Sequence, residues 1–161
     1  MKYTVYTDGS YKKIKGIGEF YSSAATLASE VNPDQMTVLT KVSNDDLISM
    51  HNVAGEIMAV MMALEHCINV LHLTQKDEVT IYYDYAGIEN WTRRKGESNY
   101  WRCKNETTQA YRDYINTIVR PRFQLVFRHV SGHTGEEGNE RVDRLARKAI
   151  DDHVSKLMEH K

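Results

Sequence analysis

Four acidic residues stand where the chain could do chemistry: Asp8, Glu56, Asp84 and Asp143. Asp8 follows an alternating run of β-formers, Tyr3 to Thr7, and precedes Gly9-Ser10. A carboxylate there is held by a strand yet left accessible by the glycine. Asp84 follows a second β-rich run, and Glu56 and Asp143 open helical patterns. Singly, each has an ordinary role: a turn residue at Asp8, a helix-dipole partner at Glu56, an ion pair from Asp143 to Arg147. Together they would repel and raise one another's pKa unless a cation neutralised them. Oxygen ligands without cysteine select Mg²⁺ or Mn²⁺ over zinc. Two such ions on shared carboxylates can clamp the attacking and leaving oxygens of a phosphodiester.

Convergence requires elements that aim the acids at one place. Lys2 to Thr7, Ile17 to Thr26 and Met36 to Val42 read as three strands joined by short turns, an antiparallel meander. Asn44 to Asn52 reads as a polar loop. From Ala54 the period becomes helical, with Ile57, Val60, Met61, Leu64, Ile68 and Leu71 on one face. Glu78 to Tyr83 is a fourth strand, and the helix before it predicts a parallel crossover. A short helix over Ala86 to Arg94 follows, then a helix over Thr107 to Ile118 with Tyr111, Ile115 and Ile118 inward. Phe123 to Val130 is a fifth strand, Ser131 to Gly138 a glycine-rich loop, and Asn139 to Glu159 a long helix. The expected fold class is α/β: a five-stranded mixed sheet, three antiparallel strands then parallel ones, flanked by helices on both faces. Asp8 and Asp84 then lie side by side at the strand ends, where open α/β sheets carry their functional crevice.

The 161 residues suit one domain over 1–161. No stretch is apolar enough to span a bilayer, no leader is expected, and no membrane role is read. Cys67 and Cys103 make neither a CxxC nor a zinc spacing and are expected as free thiols, which fits a cytoplasmic setting. A net charge of −1 means that any nucleic-acid binding must use local patches. The basic, aromatic stretch with Arg93, Arg94, Trp101 and Lys104 is the candidate patch, weighed evenly against a solvated face with a core tryptophan.

Four segments resemble the type 1 ribonuclease H family, and the resemblance spans nearly the whole chain. They are Tyr6-Thr7-Asp8-Gly9-Ser10, Asn52-Val53-Ala54-Gly55-Glu56, Ile81-Tyr82-Tyr83-Asp84, and Ser131-Gly132-His133-Thr134-Gly135 leading to Asn139-Glu140-Arg141-Val142-Asp143. The resemblance implies a ribonuclease H-like fold and a metal-dependent endonuclease that hydrolyses the RNA strand of RNA–DNA hybrids to 5′-phosphate and 3′-hydroxyl ends. It implies two Mg²⁺ ions, with Mn²⁺ able to substitute, on Asp8, Glu56, Asp84 and Asp143. His133 falls at the family's loop histidine, with a role in proton movement or product release. Asn52 falls at a position contacting the minor groove, where 2′-hydroxyls separate RNA from DNA; Gly9, Ser10 and Asn139 are further substrate candidates. A monomer is expected.

The sequence departs from the family after its third acid, with Asp84-Tyr85-Ala86-Gly87 where many members carry Asp-Ser-Gln. Position 53 is Val where some members have a second Asn. These variants resemble a subgroup often preceded by a viroplasmin-like hybrid-binding domain, and no such domain is read in these residues. Two other functions compete: a binding module that has lost catalysis, and a nuclease or strand-transfer domain acting on DNA. The full acid set opposes the first; His133 and Asn52 oppose the second.

Overall fold

Strand β1 (Lys2–Ile14) is the axis of the molecule. In the computed structural model, which describes residues 1–131 and 136–159, it pairs antiparallel with β2 (Gly18–Ser29) on one side and parallel with β4 (Glu78–Tyr83) on the other. Strand β3 (Thr37–Ser43) extends the antiparallel half and β5 (Gln124–His129) the parallel half, giving the order β3-β2-β1-β4-β5. The sheet is the mixed one the pattern predicts.

Alternation along β1 and β2 sends side chains to two faces, and a helix covers each. Val5, Ala25 and Leu27 pack with Ile57, Val60 and Leu64 of α1 (Asn52–Asn69). Tyr6 and Ala24 lie on the opposite face, against Val142 and Ala146 of α4 (Glu137–Glu159). Each fully buried aliphatic contributes about 1.5–3 kcal/mol, so the helical stripes suffice to fix both helices on the sheet. Two short helices, α2 (Gly87–Asn90) and α3 (Glu106–Asp113), close the region between β4 and β5.

Some boundaries differ from expectation. Asp8 does not end its strand: β1 runs on to Ile14 because it keeps pairing with β2. Its parallel pairing with β4 stops at Tyr6↔Tyr82, so a crevice still opens beside Asp8. Asn52 is the first residue of α1 rather than a residue ahead of it, which places Glu56 just past the first turn. The loop before α1 contains a 3₁₀ turn over Asp46–Met50. After α3 the chain widens into a π-helix over Tyr114–Val119, with Arg120 N–H bonding the Ile115 carbonyl. That wider turn buries Val119 and leaves Ile118, expected inward, 45% exposed.

Candidate active site

The site forms where β1 and β4 part. Asp8 and Asp84 each stand two residues beyond the last parallel pair and therefore at one level. Glu56 reaches the same point from α1 because two glycines let that helix touch the sheet. A methyl on Gly9 would collide with the Glu56 nitrogen and lie 2.7 Å from the Asn52 carbonyl oxygen. A methyl on Gly55 would strike the Ser22 carbonyl and lie 2.9 Å from the Gly9 Cα. The Ser23 hydroxyl donates to the Gly55 carbonyl at 2.9 Å and pins the contact.

One carboxylate oxygen from each of Asp8, Glu56 and Asp84 lies within 4.8 Å of the others. Asp8 is 3% exposed and Glu56 2%. Burial pushes the Asp8 carboxyl up to about 7, with Asp84 adding repulsion and the Gly9 N–H, donating at 2.9 Å, opposing the rise. Burial also raises Glu56 far above the usual range, with Asp8 and Asp84 adding to it. Asp84 rises for the same first reason. Its backbone is held by a ring nitrogen of His129, 2.8 Å from its carbonyl oxygen.

Glu56 Oε2 is buried without a hydrogen-bond partner among the described residues. An orphaned carboxylate oxygen among two other acids is costly unless something positive faces it. The residues present thus fit a hard divalent cation, with Asp8, Glu56 and Asp84 as its holders.

Asp143, the fourth acid, lines the same cleft but stands apart from the tight cluster. It makes the ion pair with Arg147 that its spacing allows, at 3.2 Å. The cleft encloses about 1110 Å³ and is also lined by Gly9, Ser10, Asn52 and Asn139. Asn139 is 5% exposed and its Oδ1 is likewise buried without a partner among the described residues. His133 lies outside the described residues.

The basic candidates divide between two hollows. Trp101 and Lys104 share a cavity of about 540 Å³ with Met50, Val53, Tyr85 and Trp91. Tyr85, Trp91 and Trp101 meet there with ring centroids 5.7–6.0 Å apart, Trp101 edge-on to the other two and Tyr85 tilted 44° against Trp91. Arg93 and Arg94 line a separate hollow with Glu89, Glu97 and Arg120, where Arg93 is paired to Glu89 at 3.0 Å. Tyr85 lines both the acid cleft and the aromatic cavity. Its place directly after the third acid was the available signal for it.

This strand order, with acids gathered where parallel pairing ends, defines a protein of the ribonuclease H-like class. The chain belongs to the RNase H family, whose model matches residues 1–151. It is 27% identical over 151 residues to a ribonuclease H of Francisella philomiragia, an alignment covering 90% of this chain and 88% of that protein. Among solved structures it resembles the N-terminal RNase H domain of a Mycobacterium tuberculosis protein, with a TM-score of 0.71 at 15% identity, covering 97% of this chain and 98% of the other. It also resembles LC11-RNase H1, solved in complex with an RNA/DNA hybrid, with a TM-score of 0.65 at 20% identity, covering 94% and 99%.

Proposed function

We propose that this chain is a metal-dependent endonuclease that cuts the RNA strand of RNA–DNA hybrids to 5′-phosphate and 3′-hydroxyl products. The observation that carries this is the carboxylate cluster with its orphaned Glu56 oxygen, lining a cleft of about 1110 Å³. Asp8, Glu56 and Asp84 hold Mg²⁺, Asp143 completes the set for a second ion, and Mn²⁺ can replace either. Bound there, the ions supply a nucleophilic hydroxide and charge compensation for the departing 3′ oxygen.

The chain's own residues do the rest. Burial of Asp8 and Glu56 excludes bulk water from the acid cluster and strengthens its hold on a cation. Gly9, Ser10, Asn52 and Asn139 line the cleft where 2′-hydroxyls of a hybrid would be read. Trp101 and Lys104 offer a stacking face and a phosphate contact beside Tyr85. Arg94 adds positive charge farther along, beside Arg93, which is paired to Glu89. His133 assists proton movement or product release, a role suited to a side chain that can both give and take a proton. We read residues 1–161 as one catalytic domain, acting as a monomer in the cytoplasm; among the described residues no helix is long and apolar enough to cross a membrane.

The test is incubation with Mg²⁺ or Mn²⁺ and four labelled duplexes: RNA–DNA, RNA–RNA, DNA–DNA, and DNA with a single ribonucleotide. Cleavage of the RNA strand of the hybrid alone, lost in EDTA and in Asp84→Asn, is the expected result. Hybrid binding without cleavage of any duplex would mark a binding module instead.

A further inference from the structure

The Tyr6 hydroxyl donates to Glu136 Oε1 at 2.5 Å, across 130 residues of sequence. Glu136 stands at the mouth of α4: its carbonyl accepts the N–H of Glu140 at 3.0 Å and begins the helix. An acidic side chain here would ordinarily turn back to cap the helix's own free N–H groups. In this protein it turns to the sheet.

The Tyr6 ring has two close neighbours. It stacks on Tyr82, with centroids 4.7 Å apart and planes 15° from parallel. Gly138 also lies against it, where an added methyl would fall within 2.6 Å of the ring. The first turn of α4 is therefore seated on one side chain of β1 through two residues, Glu136 and Gly138. Asn139 and Asp143 follow within the next turns of the same helix. Tyr6 itself is two residues from Asp8 on the same strand. A helix is stiff over such a span, so its starting point fixes the reach of the side chains just beyond.

We propose that the Tyr6 hydroxyl is a positioning group for the hydrolytic site. By holding Glu136, it sets where α4 starts and so how far Asp143 stands from Asp8, Glu56 and Asp84. The inference rests on the metal-dependent reading above, because it assigns the latch a purpose only if Asp143 joins those acids around a cation.

The experiment compares Tyr6→Phe, Glu136→Ala, Glu136→Gln and the double variant Tyr6→Phe/Glu136→Ala with the parent protein. Phenylalanine keeps the stacking and removes only the donor; glutamine keeps an acceptor oxygen. Three readouts are taken: amide hydrogen exchange over residues 137–143, Mg²⁺ and Mn²⁺ binding by calorimetry on the protein alone, and the metal concentration giving half-maximal hybrid cleavage. Tyr6→Phe and Glu136→Ala should each speed exchange and raise the metal requirement about 3- to 10-fold, the scale set by losing one ordinary hydrogen bond. Glu136→Gln should restore most of both, and the double variant should be no worse than either single one. Parental exchange and parental metal binding in both single variants, or additive losses in the double, would overturn the latch. Failure of the functional reading looks different: the parent protein itself would cleave no hybrid with either ion, while the exchange cycle would still report on the Tyr6–Glu136 coupling.

Discussion

Gly9 and Gly55 face each other across the joint between β1 and α1, with no space for a methyl group on either. The colliding atoms are backbone, which cannot rotate away. Gly55→Ala should therefore lift the start of α1 off the sheet and carry Glu56 with it. We expect a loss of at least about 1–3 kcal/mol in unfolding experiments, the range for overpacking. Mg²⁺ binding should fall further than stability alone explains, which calorimetry at a temperature where the variant is folded would reveal.

Glu56→Gln should separate stability from function. Glu56 is buried beside two acids and carries an oxygen with no partner among the described residues. A neutral amide removes the cost of either taking up a proton or burying a charge there, so the melting temperature in EDTA should rise, with a gain in unfolding free energy on the order of 1–2 kcal/mol. Hybrid cleavage should collapse by at least about a thousandfold, while hybrid binding survives. A lower melting temperature in EDTA would mean that Glu56 is paired in the fold.

The same burial sets a pH dependence. Asp8 is held up at about 7, and Glu56 and Asp84 are also raised. A folded carboxyl that keeps its proton longer than the unfolded chain does contributes stability below the unfolded pKa of about 4, and that stability is lost as pH climbs through the folded value. Metal-free protein should thus melt at a lower temperature at pH 8 than at pH 5. Mg²⁺ should reverse the trend, because binding displaces those protons and stabilises only the folded state. Scans at both pH values, with EDTA and with Mg²⁺, check it; a flat profile in EDTA would show that the acids are ionised without a cation.

Much of the site was legible because its determinants are local. An Asp at the end of a β-rich run, before glycine or a turn, marks both Asp8 and Asp84, and helical periodicity places Glu56 and Asp143 near helix starts. The parallel half of the sheet followed from the helix between β3 and β4. What escaped depends on contacts distant in sequence. Nothing near Tyr6 announces a partner at Glu136, and nothing in the spacing of Ile115 and Ile118 announces the π-helix that buries Val119 instead. The nearness in sequence of Arg93, Arg94, Trp101 and Lys104 suggested one patch. The short helix α2 and the turn after it place the two arginines on one side and Trp101 with Lys104 on the other.

That division yields a test of which cations hold substrate. Lys104 sits at the rim of the aromatic cavity, which shares Tyr85 with the acid cleft, whereas Arg93 is already bound to Glu89 at 3.0 Å. A phosphate contact by Lys104 releases a counterion, so Lys104→Ala should weaken hybrid binding and reduce the slope of log affinity against log salt by about 1. Arg93→Ala should leave that slope nearly unchanged, because its charge is neutralised within the protein, and it should lower stability only slightly, as partly exposed pairs do. Trp101→Ala should weaken binding with no change in slope, since stacking on a base or sugar carries no counterion. Fluorescence anisotropy of a labelled hybrid across a salt series, in EDTA to prevent cleavage, distinguishes the three. Equal slopes for the parent and Lys104→Ala would remove Lys104 from the interface and shift the electrostatic contact to the hollow lined by Arg94 and Arg120.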